Sequence, residues 1–149
     1  MLVCRKASVE GATNVLSVFE VLEQLTIPLD APLAPGAMNV IPFEFDVVTL
    51  WERADAALGE RLDARFRLVG PQGQELVGTS TLAVDLTGYL RARTIANIGG
   101  WPYAGPGVYH AVAEVNRDGA WHAAADFPIT VFGPALPVPA APGSPLSGP

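Results

Sequence analysis

The chain of 149 residues holds one cysteine, Cys4, one lysine, Lys6, and two histidines, His110 and His122. A single thiol excludes an intramolecular disulfide framework. One cysteine and two histidines, scattered along the chain, form no cluster at metal-ligand spacing, so neither a metal nor another cofactor is expected. Charged residues are scarce at 16%, and 9 basic residues face 15 acidic ones for a net charge of −6. That balance excludes the basic footprint of a duplex nucleic-acid binder. Aromatics make up only 8%. No apolar run approaches the roughly 18 residues of a membrane span, and no signal-peptide pattern opens the chain. The expected location is the cytoplasm, which a lone cysteine fits. There is no Gly-x-Ser-x-Gly elbow, and Gly99-Gly100 and Gly105-Pro106-Gly107 do not join a strand to a helix as a phosphate cradle does. Cys4 has no base near it in sequence and reads as a small hydrophobe. No enzyme is expected.

Glycine and proline are plentiful, at 15 and 14 residues. Residues 133–149 read GPALPVPAAPGSPLSGP, with no charge and little to bury. Proline has no backbone N–H, so this stretch suits neither helix nor sheet. It is expected to be a disordered, polyproline-like tail after a single domain at residues 1–132. Pro134-Ala135-Leu136-Pro137 matches PxxP only minimally.

Residues 1–132 follow a period of two almost throughout. Ile41, Phe43, Phe45, Val47 and Trp51 alternate with Glu44, Asp46 and Glu52, as in a strand buried on one face. Leu62, Ala64, Phe66 and Leu68 alternate with Asp63, Arg65 and Arg67. Gly70-Pro71-Gln72-Gly73 then reads as a type I turn closed by a left-handed glycine. Pairing Gly70 with Gln74 sets Leu68 against Leu76 and Arg65 against Thr79. Asn116-Arg117-Asp118-Gly119 reads the same way. Pairing Asn116 with Ala120 puts Tyr109, Ala111, Ala113, Val115, Trp121, Ala123, Ala125 and Phe127 on one face. His110 then falls opposite Asp126, and Glu114 opposite His122, as solvated charge pairs. Leu90, Ala92, Thr94, Ala96 and Ile98 mark another strand. Residues 15–27 fit a strand or a helical stripe, with strand preferred because a loop precedes it and Pro28 follows. Residues 53–60 suit one helical turn.

Seven or eight strands at ten-residue spacing, with no long helix, are the signature of an antiparallel β-sandwich. Tyr109, inward-facing just after Pro106-Gly107, falls where a tyrosine corner stands in an immunoglobulin-like fold. Gly70-Pro71-Gln72-Gly73, Asn97-Ile98-Gly99-Gly100-Trp101-Pro102 and Pro106-Gly107-Val108-Tyr109 with Phe127-Pro128-Ile129 resemble a family of small bacterial single-domain immunoglobulin-like proteins of unknown function. The resemblance implies that fold and carries no activity.

Two surfaces stand out. If Leu82 pairs with Leu90, Arg65, Arg67, Arg91 and Arg93 share one outer face, with Thr79 and Thr81 between them. Planar guanidinium groups suit carboxylate or phosphate partners. The face breaks up if the chain changes sheets after Asp85. The loop around Trp101 and Tyr103 puts two aromatics near one end of the sandwich, either as binding anchors or as a plug. The first expectation is a non-catalytic module that binds another protein. The second is a binder of small ligands or carbohydrate that uses Trp101 and Tyr103, and the third is an enzyme whose site needs a partner chain.

Overall fold

The computed structural model describes residues 1–28 and 39–136. They form an all-β structure with no helix. Four strands make a first sheet: β1 (Leu2–Val9), β2 (Leu16–Val21), β5 (Phe45–Glu52) and β9 (Arg91–Ile98), in the order β2-β1-β5-β9. The second sheet is β3 (Gln24–Thr26), β12 (Ala120–Phe132), β11 (Gly107–Arg117), β6 (Arg61–Val69) and β7 (Glu75–Gly78), with β8 (Leu82–Asp85) also paired to β6. A small ribbon joins β4 (Asn39–Ile41) to β10 (Trp101–Tyr103). Among the described residues, strands number twelve, where seven or eight were expected. The additional ones have three or four residues, too few to show an alternation.

Alternation places one core between the two sheets. Val3, Phe45, Val47 and Trp51 come from the first sheet, and Phe66, Leu68, Tyr109, Ala111, Ile129 and Val131 from the second. Residues 15–27 are extended, as preferred, but they form two strands with a change of sheet between them. Leu22 N still donates to Val3 O at 2.9 Å, whereas Glu23 O already accepts from Thr130 N at 2.9 Å. β3 then runs parallel to β12. Residues 53–60 make no helical turn. Asp55 instead accepts from Ala57 N through its side chain and from Leu58 N through its carbonyl, which closes a local turn.

Both predicted hairpins exist, and both registers differ from expectation. Gly70 and Gln74 close the first turn as read. An irregularity at Leu68 and Val69 then sets Leu68 against Val77 instead of Leu76, and Arg67 against Gly78. In the second hairpin Asp118 and Gly119 both have positive φ, 54° and 83°. That is a two-residue type I′ loop, so Arg117 rather than Asn116 pairs with Ala120. A second irregularity at Ala113 and Glu114 leaves Ala124 unpaired. Ala125 and Phe127 face inward as expected, while Trp121 and Ala123 are turned to the outer face.

The β1–β2 hairpin bends across the outer face of the first sheet. Ala7 N donates to Asp46 Oδ2 at 2.6 Å, Asn97 Nδ2 donates to Asp46 Oδ1 at 3.0 Å, and Arg93 Nη2 reaches Asn14 Oδ1 at 2.8 Å. This accounts for the burial of Cys4, Asp46 and Val48, which alternate away from the main core. Burial, followed by the charge of Asp46, pushes the Cys4 thiol up, away from the thiolate form.

The start of the expected tail is docked. Pro134 O accepts from Tyr103 Oη at 2.6 Å, and Leu136 packs against the core. A Cβ at Gly133 would lie 2.5 Å from Tyr103 Oη, so that close approach requires glycine. The rest of the expected tail lies outside the described residues.

Tyr109 is fully buried. Its hydroxyl donates to Gly105 O at 2.8 Å and accepts from Ala104 N at 2.7 Å. Burial pushes its pKa up to about 12. A raised acid pKa means that the folded state holds the proton longer, so this residue lowers stability as pH climbs from about 10 towards 12. Tyr109→Phe keeps the ring and leaves both backbone groups without that partner. It is expected to lower unfolding free energy by about 1–3 kcal/mol, read by urea titration with an unchanged slope, and to flatten the alkaline limb of stability.

Candidate functional site

The chain changes sheet after Asp85, and this divides the four arginines. β9 pairs with β5, with Arg91 opposite Glu52 and Arg93 opposite Leu50. Arg65 and Arg67 lie on β6, in the other sheet. The shared arginine face inferred from sequence is therefore corrected to two separate pairs. Alternation in β8 and β9 fits either connection, so it did not decide between them.

Arg65 and Arg67 converge on a carboxylate of their own chain. Arg65 Nε donates to Glu114 Oε2 and Arg67 Nη2 to Glu114 Oε1, each at 2.6 Å. Arg67 Nη1 also donates to Glu75 Oε2 at 3.0 Å. The Arg65 guanidinium lies 4.4 Å from the centre of the Trp121 ring, a cation–π distance. Glu114 is buried, because two long arginine side chains cover it. The expected pair of Glu114 with His122 does not form: the register change sets Glu114 opposite Ala123. His110 does meet Asp126, at 2.9 Å, although Pro128 is its direct neighbour across the ladder.

Burial works to raise the Glu114 carboxyl, but hydrogen bonds from Arg65 and Arg67 outweigh it and hold the group below its usual range. A carboxyl depressed in the folded state contributes stability that is present above its unfolded pKa and lost as pH falls through the folded one.

Trp101 and Tyr103 are not exposed anchors. Both are buried, so the reading of their loop as a stacking surface is corrected to the plug. Trp101 packs on Phe45 at 5.2 Å and on Tyr109 at 5.3 Å between ring centres. Ring pairs at that spacing close the end of the core. A sugar has no face of either ring to stack on.

The exposed apolar groups lie elsewhere. Tyr89 is 72% exposed and Leu50 65%. With Asn14, Asp85, Arg91, Ala92 and Arg93 they line an open groove of ≈ 490 Å³. Arg53 stiffens this end by donating to the carbonyls of Tyr89, Ala56 and Thr87 at 2.8, 3.0 and 3.3 Å. Arg91 is paired with Glu52 at 3.2 Å. Arg93 bonds only the neutral Asn14 side chain among the described residues. The sequence carried a signal for this surface. Leu50 falls in the same phase as Asp46 and Glu52, and Ile95 in the same phase as Arg91 and Arg93, so apolar residues occupy the solvent side of both strands.

A larger groove of ≈ 590 Å³ opens beside β6 and β8, lined by Arg61, Asp63, Asp85 and Asn116 among others. Arg61 and Asp85 are already paired at 3.0 Å. It holds no nucleophile next to a base. Among the described residues, no three His, Cys, Asp or Glu residues converge as a metal site, and no helix is long and apolar enough to cross a membrane. Comparison with known proteins finds no matching family model, curated protein or solved structure.

Glu114→Gln keeps the shape and removes the charge between the two arginines. It is expected to cost about 2 kcal/mol or more at pH 7. Below about pH 4.5 the gap between variant and parent should narrow, since the parent's unfolded chain then takes up a proton that its folded carboxylate still resists. Denaturant titrations at pH 7 and pH 3.5 measure both.

Proposed function

We propose that this chain is a non-catalytic protein-interaction module with an immunoglobulin-like sandwich fold. Three features support the fold. The Tyr109 hydroxyl is bonded to the backbone four residues upstream, as in a tyrosine corner. The strand from β2 to β3 passes from one sheet to the other, and β3 lies parallel to β12. Two open sheets share one core. The resemblance to small bacterial proteins of that fold belongs to the same proposal.

One observation carries the function: the cluster of Tyr89, Leu50, Arg91 and Arg93 along an open groove. Tyrosine and arginine are the residues that most often dominate binding energy at protein interfaces. Exposed apolar side chains gathered beside such groups mark a docking surface more than a scatter of single residues does. The groove is shallow and open, a shape that fits a protein surface better than a small molecule, which needs an enclosing cavity. Arg65 and Arg67 are left out of the site because Glu114 and Glu75 already engage them.

Photo-crosslinking tests this reading. Benzoylphenylalanine is introduced at Tyr89, at Leu50 or at the exposed turn residue Gln72, in the native host. One discrete crosslinked protein is expected from the first two positions and none from the third. Equal labelling from all three, or no crosslink at all, would show that this end is not an interface.

A further inference from the structure

Among the described residues, five strands form the open edges of the two sheets, and four of them are blunted. β3 has three residues, and β7 and β8, which share one edge, have four each. β2 is kinked at Glu20, where φ is +55°. Short length and local kinks are the devices that stop an edge from pairing with another chain. β9 has neither. It runs for eight residues with no proline, no bulge and no positive φ. Its ladder is formed with β5 alone, and among the described residues none of its backbone groups bonds beyond that ladder. Its charges are confined to the first three residues, so Thr94 to Ile98 offers an uncharged template.

The outer side of this edge has room for side chains, in the groove with Leu50, Tyr89 and Arg93. Towards the core, the apolar slot between Ile98 of β9 and Val77 of β7 holds only ≈ 20 Å³, the space of about one water. A strand added in the plane of the first sheet would place alternate side chains in the outer groove.

We propose that β9 accepts an extended segment of a partner protein as a fifth strand, with an Asp or Glu of that segment against Arg93. This names the partner chemistry of the interaction module and rests on that reading. The charge argument is local. Arg91 is committed to Glu52, while Arg93 holds a neutral amide oxygen, which a carboxylate can replace with a stronger, charge-assisted bond. The chain's own residues 133–149 are unsuited as occupant, because they hold six prolines and no acid. A second copy is disfavoured because it brings the same two arginines to the shared ribbon.

The test uses the full chain as target and a random twelve-residue peptide library as probe. Selected peptides are expected to be proline-poor, alternately apolar, and enriched in Asp or Glu. Their affinity should fall about tenfold or more on Arg93→Glu. It should be lost when alternate amides of the peptide are N-methylated, and amide exchange across Thr94 to Ile98 should slow in the complex. No selected peptide, no acidic enrichment, or indifference to N-methylation would each overturn the proposal. So would self-association in sedimentation equilibrium that Arg93→Glu abolishes, which would assign the edge to a second copy. A crosslink from Tyr89 to a folded protein without peptide binding would remove the strand proposal and leave the interaction reading intact.

Discussion

Three rings hold the two sheets to each other. Phe45 comes from the first sheet, Tyr109 from the second, and Trp101 lies between them with ring centres 5.2 and 5.3 Å away. The three are at most 1% exposed. Burying rings of this size supplies a large share of the apolar energy available to a small domain, and it fixes much else. The Trp101–Tyr103 segment must enter the core, so β10 pairs with β4 across that end. Tyr103 then turns its hydroxyl to Pro134 and holds residues 133–136 against the body. Tyr109 bonds the backbone at Ala104 and Gly105 and sets the turn from which β11 departs. Aromatics that suit recognition are here consumed by closure.

The same competition decides which arginines are free. A guanidinium on a strand serves a partner only when no carboxylate of its own chain is nearer. Arg65 and Arg67 flank Glu114 at 2.6 Å, and the pair hides that carboxylate from water. Removing charged groups from water is costly, and hydrogen bonds from both sides offset that cost. Arg91 has Glu52 opposite it across the ladder. Arg93 has Leu50 opposite it instead. One apolar residue in the solvent phase of β5 thus leaves one cation without a carboxylate opposite it, and that residue is itself exposed.

Much of the fold was legible because it rests on local rules. A period of two specified the strands, and Gly73 and Gly119, both at positive φ, marked the hairpin turns. Tyr109 after Pro106-Gly107 announced its own hydrogen bond. What the sequence hid was pairing between distant segments. Nothing in Leu82–Asp85 or Arg91–Ile98 says whether the second returns to the first or crosses to β5, because alternation is satisfied either way. The irregularities at Leu68/Val69 and Ala113/Glu114 were equally hidden, since one additional residue leaves each strand's own pattern unchanged while turning Trp121 to the outside. Glu114 is buried because β6 sets Arg65 directly opposite it and both arginines cover it, a pairing between distant segments. For the candidate site, the arginines were visible as residues and invisible as neighbours. Leu50 and Ile95 were visible as apolar groups out of phase.

A net charge of −6 is compatible with a basic edge because the charges are not mixed evenly. Beyond about 8 Å at physiological salt the mean charge is screened, so an approaching segment senses the nearest groups rather than the sum. At β9 those are Arg93 and the uncharged residues that follow it. A second copy would bring a like-charged Arg93 to the same open edge, and that repulsion works against self-pairing of the eight-residue strand. A segment of opposite sign gains where the identical molecule loses, so one cation both favours the proposed partner and disfavours self-association.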